Sequence, residues 1–344
     1  MSANSNSTVL VTGGTGYLAK WVIVGLLREG YTVRVTLRNL SKESEVRASI
    51  DEQVASVDRL SFVAADLLKD EGWMRAMTGC KYVLHVASPM GQGAPKGMDL
   101  VTPARDGTLR VLSAAAASGI ERVVCTSSAF ASQTPAVAGE MQPIANEDTW
   151  TVPTETSLSE YARSKVLAER AAWEFMKTDT SGMTLATVLP GLILGPVMNK
   201  SVTGSLELIS RLLTGKLPAL PRIGFGIIET NNLVDLHMKA MTSPAAANGR
   251  FIGVGDFLWI SDIAEILKEQ FQDRSAKIPS RQLPDWVLRL SALFQEEARF
   301  MAPMLGKRRE FDTSKTSSVL QWHAKPSREA VIECAKSLID QGLV

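Results

Sequence analysis

The sequence predicts an α/β fold, a doubly wound parallel sheet with helices on both faces, followed by a smaller C-terminal part. Three observations carry this. Short apolar runs alternate with amphipathic ones through residues 1–190. A glycine-rich turn joins the first strand to the first helix. After Gly191 the alternation gives way to a stretch punctuated by proline and glycine.

Val9–Thr12 reads as a short buried strand. The turn Gly13-Gly14-Thr15-Gly16 follows, and then a helix over Tyr17–Glu29 that sets Leu18, Val22, Leu26 and Leu27 near one face and stops at Gly30. Further strands are expected at Thr32–Leu37, Leu60–Ala64, Tyr82–Val86, Arg122–Thr126 and Leu185–Leu189, the last halted by Pro190-Gly191. Asp99–Ala117, closed by Gly119, and Leu158–Thr178 read as helices. Pro196, Pro218, Pro221, Gly224 and Gly226 mark an irregular region, and Phe251–Gly255 one more strand. Residues 1–190 therefore form the main body, to which 229–256 return, and 191–344 form mostly the smaller part. No Gly/Ser tether separates them, so they should pack closely.

Bulk properties narrow the function. The 344 residues are 45% hydrophobic and 21% charged, which suits a globular protein. A net charge of +1 argues against nucleic acid or an anionic membrane as partner. Cys80, Cys125 and Cys334 are widely spaced and form no CxxC pair, so a reduced, cytoplasmic setting is expected. The N-terminal MSANSNST lacks a signal pattern, and no apolar run approaches the roughly 18 residues that span a bilayer. His85, His237 and His323 show no metal-ligand spacing.

Gly13, Gly16 and Ala19 spell G-x-x-G-x-x-A between a strand and a helix, the phosphate-binding turn of a Rossmann-type fold. Gly13 allows the tight turn, Gly16 lets backbone approach a pyrophosphate, and Ala19 permits close packing of helix on strand. Free amides and the dipole at the helix start favour an anion. The Walker ending is missing. NAD-binding versions place an acid after the second strand; here Arg38 stands there, with Lys42 nearby. A guanidinium can pair with a 2′-phosphate, so NADPH is expected over NADH. Asp66 could accept from the adenine amino group, or simply cap its own loop.

Tyr161-Ala-Arg-Ser-Lys165 sets a phenol and an amine one helical turn apart. It follows Ser127-Ser128 at the end of the fifth strand. Ligands of open α/β sheets bind beyond the carboxyl ends of the strands, where Ser128, Tyr161 and a dinucleotide can meet. Reducing a carbonyl needs a proton at oxygen as well as hydride at carbon. A phenol of ordinary pKa near 10 needs an ammonium beside it to work in both directions. Lys165 can supply that charge, and Ser128 can donate to the carbonyl oxygen.

The pieces VTGGTGYLA, VTLRN, ADL, HVASPM, VVCTSSA, YARSK and LPGLILGP, in order over residues 9–196, resemble an extended short-chain dehydrogenase/reductase of the dihydroflavonol reductase-like branch. RQLPDWVLRL and SSVLQW look similar to bacterial members. The resemblance implies Tyr161 as acid/base, Lys165 as its modulator and Ser128 as carbonyl donor, with Ser127 touching the cofactor; which serine meets the carbonyl stays open. It implies a cofactor site of Gly13, Thr15, Gly16, Tyr17, Leu18, Arg38, Lys42, Asp66, Leu67, Val86, Ala87, Ser88, Ser127, Tyr161, Lys165, Pro190, Gly191 and Leu192. Homodimers are common in the family, and monomers also occur.

Met90, Phe130, Leu192 and Phe225 are candidates to line an apolar pocket, with Ile223–Ile228 as a mobile wall on glycine hinges. Ala129-Phe130-Ala131-Ser132 offers no clear match to groups that hold flavonoid hydroxyls, and the cinnamoyl-CoA catalytic-loop signature is missing. The expected activity is an NADPH-dependent carbonyl reductase acting on a small ketone or aldehyde. Alternatives are a nucleotide-sugar epimerase/dehydratase, against which Arg38 argues, a hydroxysteroid-type dehydrogenase, and a non-catalytic NADP sensor, against which Tyr161 and Lys165 argue.

Overall fold

The structure is a computed structural model, and it describes residues 7–89, 99–135, 140, 143–154, 158–198, 202 and 204–344. The leading half alternates strand and helix: β1 (Thr8–Val11), α1 (Tyr17–Arg28), β2 (Thr32–Leu37), α2 (Glu43–Asp51), β3 (Leu60–Ala64), α3 (Trp73–Met77), β4 (Tyr82–His85), α4 (Val101–Ala117), β5 (Arg122–Thr126), α5 (Glu160–Thr178) and β6 (Thr184–Pro190). Then come β7 (Leu192–Leu194), α6 (Ser205–Leu213), β8 (Leu220–Pro221), β9 (Gly224–Glu229), α7 (Thr230–Thr242), β10 (Gly249–Gly253) and β11 (Phe257–Trp259). The chain closes with α8 (Ile260–Gln270), β12 (Gln282–Leu283), α9 (Asp285–Ser291), α10 (Glu296–Met301), α11 (Ser314–Leu320) and α12 (Ser327–Asp340).

Seven strands form one parallel sheet in the order β10-β6-β5-β4-β1-β2-β3. Successive side chains of a strand point to opposite faces, and both faces here are covered, which is why the strands read as unbroken apolar runs. Val9 and Val11 join a core with α1 and α7 (Trp21, Val22, Leu236), whereas Leu10 joins one with α3 and α4 (Trp73, Val111, Leu112). A third core gathers α6, α8 and α12 through residues such as Ile209, Ile263 and Val331. Small sheets β11-β9-β7 and β12-β8 extend the C-terminal part.

The order reverses between β1 and β4, and that switch point is where a crevice opens beyond the strand ends. Gly13 sits there with φ +76, and a Cβ on it would lie 2.9 Å from Ala87 Cβ. Only glycine combines that left-handed backbone with that closeness. The Thr12 hydroxyl accepts from the Ala87 amide at 3.0 Å and bonds His85 Nδ1 at 2.9 Å, joining the ends of β1 and β4.

The expected mobile wall is instead a regular strand. β9 pairs parallel to β7 and antiparallel to β11. Its glycines serve close packing rather than hinging: a Cβ on Gly191 would lie 2.2 Å from Gly226 O, and one on Gly224 would meet the Phe257 ring at 2.3 Å.

Candidate active site

Helix α1 begins at Gly16, which has extended backbone and gives no side-chain cap. Amides of a first helical turn have no intrahelical acceptor, so this exposed start presents N–H groups and a positive dipole end to an anion. Thr15 is exposed beside it. Leu18 is buried in the core. The Tyr17 hydroxyl bonds Thr230 Oγ1 at 2.8 Å, and burial raises its phenol pKa.

Arg38 stands exposed just past β2 and makes no hydrogen bond or ion pair with the described residues. Lys42 is engaged by Glu45 at 2.8 Å, an exposed pair that a stronger anion can replace. Asp66 accepts from the Leu68 amide at 3.0 Å through its side chain, a local cap, and Leu67 packs towards Gly107. Val86, Ala87 and Ser88 follow β4 half-buried, while Pro190 ends β6 and Gly191 and Leu192 lead into β7. Met90 lies outside the described residues.

Ser159 caps α5, its hydroxyl accepting from the Ala162 amide at 3.1 Å, and Glu160 opens the first turn with a favourable charge. One turn on, Lys165 Nζ donates to the carbonyl of Thr126, the last residue of β5, at 3.3 Å. The Tyr161 ring meets Phe130 edge to face, centroids 6.2 Å apart. Ser128 lies two residues past the same strand; its Oγ accepts from the Phe130 amide at 3.2 Å, and among the described residues no protein group takes its hydrogen. Ser127 differs: its hydroxyl donates to Glu169 at 2.5 Å.

Burial pushes the Tyr161 phenol up to about 12 and the Lys165 amine down to about 8, the latter against the pull of Cys125 and Glu169. The expected lowering of the phenol by Lys165 is therefore not a feature of this structure: desolvation governs Tyr161, and Lys165 is turned onto the strand-end carbonyl. Burial, and then the charge of Lys165, push His85 down to about 3, so it is neutral. Phe130, Leu192 and Phe225 each pack against the C-terminal core, and Phe130 lines a narrow crevice with Ala162, Phe300 and Met304.

Sequence reasoning missed the network behind these groups. Glu169 of α5 accepts from Thr187 Oγ1 at 2.8 Å and from Arg250 Nε of β10 at 2.8 Å, the carboxylate 1% and the guanidinium 7% exposed. Arg250 also donates to the carbonyls of Glu147, Thr149 and Ala131, and it stacks on Trp150 with Cζ 3.7 Å from the ring centroid. The available signals were an acid one turn past Lys165 and an arginine inside an apolar strand.

An uncapped helix start at a sheet's switch point, with a phenol, an amine and a serine gathered at the same edge, defines a nucleotide-dependent oxidoreductase. The chain belongs to the NAD dependent epimerase/dehydratase family, whose family model matches residues 9–267. Cinnamoyl-CoA reductase CAD2 of Medicago truncatula is 32% identical over 293 residues, covering 83% of this chain and 85% of that one. Tetraketide alpha-pyrone reductase 1 of Arabidopsis thaliana is 30% identical over 341 residues, with coverage of 97% and 96%. Dihydroflavonol 4-reductase of Zea mays is 30% identical over 280 residues, covering 79% and 76%. The fold matches a crystal structure of yeast methylglyoxal/isovaleraldehyde reductase Gre2 complexed with NADPH, with TM-score 0.79 and 23% identity over 98% of this chain and 100% of that one. Among the described residues no helix is long and apolar enough to cross a membrane, and no cluster of three or more His, Cys, Asp or Glu could hold a metal.

Proposed function

We propose that the protein is an NADPH-dependent carbonyl reductase that converts a ketone or aldehyde to an alcohol, with Tyr161 as the proton donor. The observation that carries this reading is the convergence on the end of β5: Lys165 on the Thr126 carbonyl, the Tyr161 ring on Phe130, and Ser128 with an uncommitted hydroxyl hydrogen.

The residues present fit the dinucleotide. The α1 start and Thr15 would take the pyrophosphate, and the unpartnered Arg38 a 2′-phosphate, with Lys42 released from Glu45 to assist. Asp66, Leu67 and residues 86–88 would border the adenine and its ribose, and residues 190–192 the nicotinamide. Once bound, the dinucleotide supplies hydride to the carbonyl carbon.

The protein's part is the proton and the oxygen's charge. A phenol held near 12 keeps its proton at neutral pH, so Tyr161 Oη enters the reaction as an acid and gives that proton to the carbonyl oxygen. Ser128 Oγ donates to the same oxygen as its charge grows. The Lys165 ammonium stabilises the phenolate left behind until solvent reprotonates it. Phe130, Leu192 and Phe225 favour an apolar or aromatic carbonyl compound over a polar sugar nucleotide, and Arg38 in place of an acid supports NADPH over NADH.

The test is loss of NADPH absorbance with a panel of aromatic and aliphatic aldehydes and ketones, with NADH in parallel. Rapid oxidation of NADPH by bulky carbonyl compounds is expected. Silence across the panel, with NADPH still bound, would overturn the reading in favour of sugar-nucleotide chemistry or a sensor.

A further inference from the structure

Ser127 and Ser128 are neighbours just past β5, Ser128 on extended backbone, and their side chains take different partners, Glu169 for Ser127 and the Phe130 amide for Ser128. Glu169 takes the first, and the second is left facing the crevice. Arg250 holds that choice from behind. Through the carbonyls of Ala131 and of Glu147 and Thr149, it holds the chain just after Ser128 and Phe130. Through Glu169 the same guanidinium is tied to α5, where Glu169 lies one turn past Lys165 and Lys165 one turn past Tyr161.

We propose that the buried Glu169–Arg250 pair is the positioning element of this site: it decides which of the two adjacent serines meets the substrate, and it sets a negative charge one helical turn from the Lys165 ammonium. The inference rests on the carbonyl-reductase reading for its catalytic consequence, though not for the charge itself. Neither residue touches substrate; both act through Ser128 and Lys165.

Among the described residues the groups that raise Lys165 are Cys125, which does so only as a thiolate, and Glu169, which leaves Glu169 as the source of that charge near the Lys165 midpoint. On β5, burial pushes the Cys125 thiol up to about 12, so it is neutral. On β4, His85 is neutral at about 3, and on α7 His237, bonded to Thr126 Oγ1 at 2.8 Å, is neutral at about 4. On α5 the Tyr161 phenol is protonated. Arg250 on β10 keeps its positive charge, held by Glu169 and three carbonyls, and is not among the groups that act on Lys165.

The experiment follows the Lys165 side chain by NMR of isotope-labelled lysine, its signal assigned by loss in Lys165→Met, alongside kcat–pH profiles of the full chain. The variants are Glu169→Gln, Glu169→Asp and the double Glu169→Gln/Arg250→Gln. The double variant leaves no unpaired buried charge and serves where Glu169→Gln alone fails to fold. In the Gln variants the Lys165 midpoint and the basic limb of kcat should move down together by about half a pH unit or more. Their kcat should fall by about tenfold or more with a smaller change in KM, and Glu169→Asp should restore most of both. Lower stability with an unmoved midpoint makes the pair merely structural and overturns the proposal, even in an enzyme that reduces carbonyl compounds. A midpoint that moves in a protein reducing none of them keeps the charge assignment and sinks the carbonyl-reductase reading instead.

Discussion

Tyr161 and Lys165 respond in opposite directions to the same burial, and the chemistry of reduction follows from that. An acid must hold its proton and an ammonium must keep its charge. Between the two values, about 8 and about 12, Tyr161 is still protonated while Lys165 is losing its charge. The kcat for reduction should therefore fall as pH rises through about 8, and a profile flat to about 10 would remove Lys165 from its role. Replacing Tyr161 by Phe removes the transferable proton and keeps the ring against Phe130. Turnover should drop about 10²–10⁴-fold, with NADPH affinity, read by fluorescence titration, changed by less than about threefold. Arg38 has no partner to lose among the described residues, so Arg38→Asp should leave stability within about 0.5 kcal/mol and shift preference towards NADH; an unchanged ratio of kcat/KM for the two cofactors would end its assignment to the 2′-phosphate.

At the scale of elements, glycine marks the places where backbone meets backbone. A Cβ on Gly191 would collide at 2.2 Å with the Gly226 carbonyl, which cannot swing aside as a side chain can. Gly119 also resists a side chain, but only through its φ of +70, with nothing within 4 Å of an added Cβ. Gly191→Ala should therefore cost about 2–3 kcal/mol, and Gly119→Ala about 1 kcal/mol, in denaturant unfolding. The contrast shows what a sequence discloses. The strand–helix alternation, the turn at Gly13 and the YxxxK spacing were all legible, because each is a local pattern with a period or a fixed offset. β9 was read as hinged because glycines 224 and 226 look alike as hinges and as packing contacts until their neighbours across the sheet are known. For the same reason Glu169 and Arg250 escaped notice: their partnership spans α5 and β10, and nothing local to either residue announces it.

For the molecule as a whole, acid is the condition that its interior resists least. His85 and His237 are buried and neutral, at about 3 and about 4, against 6.5 for an exposed imidazole. Between those values the unfolded chain binds protons that the folded one refuses. Their contribution to stability is therefore complete above about pH 6.5 and is lost as pH falls towards 4. By about pH 5 the two together should remove on the order of 2–4 kcal/mol, seen as a falling midpoint in urea, and His237→Gln should flatten part of that slope. A second consequence concerns the order in which the chain is made. Ser128, Tyr161 and Lys165 all leave the ribosome before β10, which completes the edge of the sheet and brings Arg250. Until that strand arrives, the Glu169 carboxylate lacks its guanidinium partner, and the carbonyls of Glu147 and Thr149 lack the donor that Arg250 gives them. If the Glu169–Arg250 pair positions the site as proposed, a nascent chain that already contains every group proposed to touch substrate gains competence only with the strand that supplies none of them.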